Sequence, residues 1–492
     1  MSVQYLGQEV DERTEFETVI GLEVHVQLAT NSKIFSTAKA RLMEGDSVAG
    51  EAVNAKTTEV CAGHPGTLPS LNKKAVEYAI RAGLATGCKI NSKTIFSRKH
   101  YFYPDSPKGY QISQLELPVC EHGNLEVELG EGGLITKKIG ITRIHMEEDA
   151  GKSVHGIGFS LINLNRAGTP LIEVVSEPDM RTPEEAGAYL RKLYAIVTCI
   201  GVCDGNLQEG NFRCDANVSI RPKGSEKLGT RTETKNVNSF RFVEKAIEYE
   251  VERQRQVILS GGKIIQETRL YDSVKNQTFS MRTKEEAEDY RYFPDPDLPP
   301  LMIEQSQIDA IRAALPELPD QMRDRFIKDF GLTKYDAGLI TSAKLLVQFF
   351  EEAVTGADGK RIAKTVANLL IAEAARLPSK FKPVHFAEMA KLISDKTISV
   401  TAAKQIITIL DTEGGDVLTI ISREGLTQVN DLSALEPIIE KIINDNPKQV
   451  EEFRAGKEKI IGFFVGQAMK VTQGKANPGM LQELVLKKLK EH

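Results

Sequence analysis

KIGITRIHMEEDAGK, residues 138–152, and NLNRAGTPLIEVVSEPD, residues 163–179, decide how this chain is read. In both, β-branched residues recur in short runs bounded by Gly, Pro and Asn, which predicts strands. Yet the polar residues set into these runs are His145, Glu147, Glu148, Asp149, Glu173 and Glu177. Carboxylates gathered in one place repel each other and resist desolvation. A divalent cation removes that conflict, and hard oxygen ligands suit magnesium, which usually also binds substrate phosphates. The competing reading is a solvated acidic sheet edge.

Working outward, TVIGLEVHVQLAT (18–30) alternates cleanly, with Val24, Val26 and Leu28 on one face and Glu23, His25 and Gln27 on the other. RKHYFYPDSPKGYQISQ (98–114) reads as one turn-rich segment, stiffened by proline, whose Tyr101 and Lys108 either contact a base, ribose or phosphate or cover a core edge. Thr182-Pro183-Glu184-Glu185 predicts a helix start with a capping box, and Gly201 its end. In FRCDANVSIR (212–221), Cys214, Ala216, Val218 and Ile220 form an apolar face opposite Arg213, Asp215, Asn217, Ser219 and Arg221. Arg231, Glu233 and Lys235 share one parity in the next predicted strand. Such a set of cations, carboxylates and amides suits a phosphorylated, metal-bound ligand, because phosphoryl transfer needs charge neutralisation and alignment. Neither G-x-x-x-x-G-K-[ST] nor a G-x-G-x-x-G loop is present, which disfavours P-loop and protein-kinase folds.

The chain has 492 residues, enough for about three domains, each with its own core. Its net charge is -5, so nucleic acid would have to be met by a local basic patch. No run of eighteen apolar residues occurs, which excludes an ordinary membrane span, and the acidic start lacks a targeting pattern, so a cytoplasmic protein is expected. Six cysteines form no disulfide framework.

VIGLEVHVQL, HYFYPDSPKGYQISQ, ITRIHMEEDAGK, NRAGTPLIEVVSEPDM, EGNFRCDANVSIR and TETKNVNSFRFVEKAI, in this order, resemble the GatB family, the B subunits of aminoacyl-tRNA amidotransferases. The likeness continues through YRYFPDPDLPPL into the helical tail. It implies an α+β fold: an antiparallel-sheet cradle of glutamine synthetase/guanidino kinase type over residues 1–300, a helical domain over 301–412, and a YqeY-like tRNA-binding tail domain over 413–492. It further implies a heterotrimer in which the other two chains are an amidase (GatA) and a small protein (GatC). ATP and Mg2+ would serve to phosphorylate the side-chain carboxylate of Glu-tRNA(Gln) or Asp-tRNA(Asn), and ammonia from glutamine would then displace the phosphate. Residue by residue, the resemblance assigns Glu23, Glu147, Glu173, Asp215 and Glu233 to catalysis and His25 and Glu148 to direct metal ligation. Arg213, Asn217 and Lys235 join Tyr101 and Lys108 as candidates for substrate or phosphate contacts. Strict alternation separates Glu147 from Glu148, so one of them requires a bulge or a strand end. Many relatives carry a Cys-x-x-Cys before the Gly-x-Pro-Gly turn; here Cys61 pairs with Thr58, which argues against zinc.

From Gln305 onward, Ala and Leu at helical spacing predict a helical bundle. Residues 454–492 carry eight Lys and Arg against three acids, and GQAMKVTQGKANPGM offers Lys470, Lys475 and Asn477 to a tRNA backbone. Two alternatives stand beside the kinase reading: a tRNA-binding scaffold with an inactive site, and a stand-alone metal hydrolase. The second is weakened because no single loop supplies a general base beside the ligands.

Overall fold

The alternation at residues 18–30 becomes strand β1, Phe16–Gln27, with Val24 and Val26 fully buried and Glu23, His25 and Gln27 partly open. The computed structural model describes residues 2–40, 52–130, 133–235, 237, 239–283, 290–377, 380–428, 432–472, 476 and 478–491. Eight further strands join β1 in one sheet: β2 (Lys89–Ile90), β3 (Cys120–Leu129), β4 (Ile135–Glu148), β5 (Pro170–Ser176), β6 (Phe212–Pro222), β7 (Thr232–Lys235), β8 (Glu267–Asp272) and β9 (Gln277–Thr283). Their order is β9-β8-β7-β6-β1-β5-β4-β3-β2, antiparallel throughout except for the parallel pair β7 and β8.

Register sets the site. Residues directly opposite on neighbouring strands share a face. Glu173 of β5 lies opposite both His25 of β1 and His145 of β4, and Arg213 of β6 lies opposite His25. One row therefore reads Arg213, His25, Glu173, His145 across four strands. Asp215 stands opposite Glu23, and Asn217 opposite Glu233. The reverse face carries Val24, Val26, Ile144, Met146, Ile172, Val174, Ala216 and Val218, all fully buried. This face forms one core with helices α1 (Lys73–Ala85), α2 (Pro183–Cys199) and α3 (Phe240–Leu259). The sheet is thus greasy behind and polar in front.

Local signals place those helices. Thr182 caps α2 by accepting from Glu185 N–H, and Gly201, at φ +70°, ends it. The expected capping box is shifted by one residue: the Glu185 carboxylate accepts from the Arg181 N–H at 2.5 Å and pairs with Lys137 at 2.8 Å. Ser239 caps α3 through its hydroxyl, as Thr182 caps α2. Gly83 lets α1 lie against β2 and β3, since a Cβ there would sit 2.3 Å from Cys120 Sγ and 2.9 Å from Ile90 Cδ1. Gly83→Ala is therefore expected to destabilise the protein by about 1–3 kcal/mol despite alanine's better helix propensity. Urea unfolding that shows equal or greater stability would contradict this packing.

Residues 98–114 are not a single loop. Ser97–His100 and Tyr110–Ser113 are strands, paired with each other and, through Arg98, with Phe293–Pro294 in a separate three-stranded sheet. Only 101–109 connect them. The two prolines dominate the sequence pattern, while Ser97–His100 is polar on both faces and Tyr110–Ser113, four residues long, alternates only through Tyr110 and the buried Ile112.

The chain divides into Met1–Pro319 and Asp320–His492. Where the sequence suggested an end to the first domain at Pro300, Ile303, Ile308 and Ile311 still belong to the first core, and the Gln305–Ala313 helix packs on α1. The second unit is helical and holds two cores, one from Phe326 to Leu426 and one from Leu435 to Leu489, so the expected boundary between 412 and 413 falls too early: Val417, Ile420, Ile421 and Leu426 still pack in the first of them. Among the described residues, no helix is long and apolar enough to cross a membrane.

Candidate active site

Four side chains meet at the centre of the polar face. His25 Nε2 lies 3.5 Å from Glu173 Oε2 and 3.8 Å from Glu147 Oε1. His145 Nε2 lies 3.3 Å from Glu173 Oε2 and 3.9 Å from Glu147 Oε2. Arg143 Nε donates to His145 Nδ1, which directs the Nε2–H of that ring at Glu173. Ser113 Oγ donates to Glu147 Oε2 at 3.2 Å. Glu147 and Glu173 are only 3% and 8% exposed. Burial pushes the Glu173 carboxyl up, but the His145 and His25 imidazoles beside it hold it well below the ordinary carboxylate range. Lys99 adds to this from the small sheet. Burial alone would lower its ammonium pKa, whereas Glu147, Tyr292 and Glu173 raise it above the usual lysine value.

Two buried carboxylates side by side call for a cation. His25, Glu147 and Glu173 each offer one ligand atom, and these atoms lie within 4.8 Å of one another, the only such set of three among the described residues. One imidazole nitrogen and two carboxylate oxygens fit a divalent cation that completes its shell with water or phosphate oxygens. Glu148, expected as a direct ligand, stands outside this set. It ends β4 with the opposite parity, and its Oε1 is taken by Lys108 and by the Ile112 N–H at 2.9 Å. Glu147 is the member of the pair that faces His25.

To the other side of β1, Lys235 Nζ lies 2.6 Å from Asp215 Oδ2 and 3.4 Å from Glu233 Oε1. Burial opposes its charge, but Asp215 and Glu233 together raise its pKa above the ordinary value. Asn217 donates to Glu23 Oε1 at 3.0 Å, and Thr268 donates to Glu233 Oε2 at 2.9 Å. Arg213 Nη2 donates to Asp149 Oδ2 at 2.8 Å. The Arg213 Nε and Asn217 Oδ1 atoms are buried without a hydrogen-bond partner. Polar atoms left unsatisfied on the open face of a sheet are suited to a ligand that supplies both donors and acceptors.

The remaining sequence candidates fall farther out. Tyr101 and Lys108 line a small cavity with Glu148, Asp149 and Gly168; burial, with Asp105 adding to it, pushes the Tyr101 phenol up to about 12. Cys61 opens onto the same cavity, and its sulfur has Ser36 Oγ at 3.3 Å, Thr58 Oγ1 at 3.5 Å and Lys33 Nζ at 3.6 Å. Two hydroxyls and an ammonium do not fit a zinc ligand set. Lys470 is exposed near the end of the helix Ile461–Val471, while Lys475 and Asn477 lie outside the described residues. Sequence reasoning assigned no role to Lys99, Ser113 or Arg143, and named His145 among the polar residues of its strand without placing it in the site. Parity with Gln111 and Ser113 would have exposed Lys99 had Ser97–His100 been recognised as a strand.

Residues 18–309 match the family described as the GatB/GatE catalytic domain, and residues 348–489 match the GatB domain. A relative from Solidesulfovibrio magneticus, named as the B subunit of aspartyl/glutamyl-tRNA(Asn/Gln) amidotransferase, is 53% identical over 482 residues, covering 96% of this chain and 99% of its own. Proteins of the same name from Thioalkalivibrio sulfidiphilus and Alkalilimnicola ehrlichii are 53% and 52% identical over 486 and 489 residues, 96% of this chain and 100% and 99% of theirs. A catalytic-domain match across most of the first unit, a second match in the helical unit and full-length relatives of this identity make one conclusion plain: the chain belongs to the GatB family.

Proposed function

We propose that this chain is the carboxylate-activating member of a tRNA-dependent amidotransferase. Its substrates would be Glu-tRNA(Gln), Asp-tRNA(Asn) or both, the aminoacyl-tRNAs in the name its relatives carry. The observation that carries the reading is the row Arg213, His25, Glu173, His145, with Glu147 beside it and Lys99 behind it. His25, Glu147 and Glu173 would hold magnesium, which supplies charge neutralisation for the phosphates of ATP. Lys99 and Arg213 flank the position of a transferring phosphoryl group and hold its equatorial charge. Lys235, Asp215, Glu233, Asn217 and Glu23 form a hydrogen-bonded wall that orients the acceptor carboxylate for in-line attack. Glu148 and Lys108 tie the 101–109 loop to the end of β4 and so keep Glu147 in place. The acyl phosphate formed this way is the leaving-group form that ammonia requires.

Ammonia would come from a glutaminase partner, GatA, with the small GatC chain completing the heterotrimer. The polar-faced antiparallel sheet is akin to the glutamine synthetase/guanidino kinase cradle, a fold that activates carboxylates. On this reading the unit Met1–Pro319 is catalytic, the core from Phe326 to Leu426 a helical connection, and the core from Leu435 to Leu489 a tRNA grip that includes Lys470, Lys475 and Asn477; the working compartment is the cytoplasm. The test is reconstitution. The chain, co-purified with GatA and GatC, should release phosphate from ATP only when Glu-tRNA(Gln) or Asp-tRNA(Asn) is present, and should form the amidated product with glutamine. Amidation at full rate without ATP turnover would refute the proposal.

A further inference from the structure

The three-stranded sheet over the site has two faces. Its inner face sends Ser113 to Glu147, Gln111 to the Glu148 carbonyl and Lys99 toward both buried carboxylates. Its outer face takes no part in that chemistry: Ile112, opposite Arg98, is buried in the main core, and the rest of the face carries rings and the Arg98 guanidinium. Register pairs Phe293 with Arg98 and His100 with Tyr110 on that face. His100 stacks on Phe293, with centroids 4.9 Å apart and planes 25° apart, and the Arg98 guanidinium lies 4.3 Å from the Tyr110 ring centre. Asp295 and Asp297 pin Arg98 in that position.

Two residues beyond His100, in the 101–109 loop, Phe102 is 97% exposed; Phe293 is 46% exposed. Leaving a phenyl ring in water forgoes its burial energy, a cost normally avoided by rotating the ring inward. Here the mount is fixed. Ser106 N–H bonds Tyr103 O, Gly109 N–H bonds Ser106 O, Gly151 N–H bonds Asp105 O, and Lys108 pairs with Glu148. An exposed aromatic two residues from a stacked histidine–phenylalanine pair, on a loop tied down from Tyr103 to Gly109, matches how proteins hold unpaired nucleobases. The shape selects the kind of ligand. A free nucleotide buries most of its surface in a concave pocket, whereas this is an open row of rings, as a single strand requires. Lys108 marks where the row meets the site, with its ammonium on Glu148 and 5.4 Å from the Tyr110 ring.

We infer that this outer face, Arg98, His100, Phe102, Tyr110 and Phe293, is a stacking platform for the single-stranded 3′ end of the aminoacyl-tRNA, leading it over the rim at Lys108 to the carboxylate site. The inference rests on the amidotransferase reading above and adds the path of the RNA. Its test uses the assembled enzyme. Phe102→Ala should raise KM for aminoacyl-tRNA about tenfold, since one base stack is lost, while KM for ATP, kcat and the melting temperature stay as in the parent. Phe102→Trp should restore tRNA affinity. Removing the unpaired 3′ nucleotides from a competitor tRNA should weaken its binding to the parent more than to Phe102→Ala. An unchanged KM for tRNA in Phe102→Ala overturns the platform, and so does a change confined to KM for ATP, which would assign the ring to the adenine of ATP. If the parent enzyme itself fails to amidate, the functional reading falls instead, so the two failures are distinguishable.

Discussion

Glu147→Gln in the reconstituted enzyme should lower aminoacyl-tRNA-dependent ATP turnover by about a thousandfold, the loss typical of a group that stabilises charge in the transition state. The amide keeps the volume of the side chain and its bond from Ser113 but removes one of the two buried charges facing His25. Manganese affinity, followed by its spin-resonance signal, should fall in parallel, because one anionic donor of the set is gone. Glu148→Gln should behave differently. It cuts the ion pair with Lys108 and loosens the loop, so a loss of about tenfold with near-parental manganese affinity is expected, in line with the modest effects of supporting groups. The order of the two variants is the decisive comparison. A larger loss at Glu148 than at Glu147 would mean that the metal set drawn from His25, Glu147 and Glu173 is wrong.

The largest expected effect on stability lies away from the site, at Glu250 of α3. This carboxylate is completely buried and accepts from Thr232 at 2.6 Å, Arg253 at 2.5 Å and Thr278 at 3.1 Å, with Arg269 Nε at 3.3 Å. It binds α3 to β7, β8 and β9 through polar contacts. Glu250→Ala leaves Arg253 without its carboxylate, while Arg269 keeps Glu267 and Thr278, and is expected to cost about 3–5 kcal/mol in urea unfolding. The pH dependence follows from the sign of the shift. Burial pushes the Glu250 carboxyl up, but Arg253, Thr232 and Gln254 outweigh it and hold the pKa below its ordinary value. The stabilisation is therefore complete above the unfolded pKa of about 4.3 and disappears as pH falls through the lower folded value. Glu250→Gln should flatten the acid side of the stability curve in that window. A penalty below about 1 kcal/mol for Glu250→Ala would show that the network is not an energetic link.

Half of the site was legible from alternation alone. Glu23 and His25 in β1, and Arg213, Asp215 and Asn217 in β6, share parity because both strands have one apolar face and one polar face. The end of β4 defeated the same reasoning. Met146, Glu147 and Glu148 are all buried there, so hydrophobicity no longer separates the two faces, and only the pairing of His145 with Glu173 decides which glutamate looks toward His25. Lys99 was hidden for a related reason: a strand only four residues long, Ser97–His100, presents no periodicity to detect. Strand order was out of reach because β1 joins segments distant in sequence, and no local pattern encodes which distant strand closes the sheet.

That last feature bears on how the protein is made. The partners of β1 begin at Pro170 and Phe212. At a synthesis rate of roughly 5–20 residues per second, the segment holding His25 leaves the ribosome on the order of ten seconds before either neighbour exists. During that wait its Val24 and Val26 side stays uncovered and both edges can pair with any other nascent strand. The proposed metal set therefore closes only once Glu147 and Glu173 have followed.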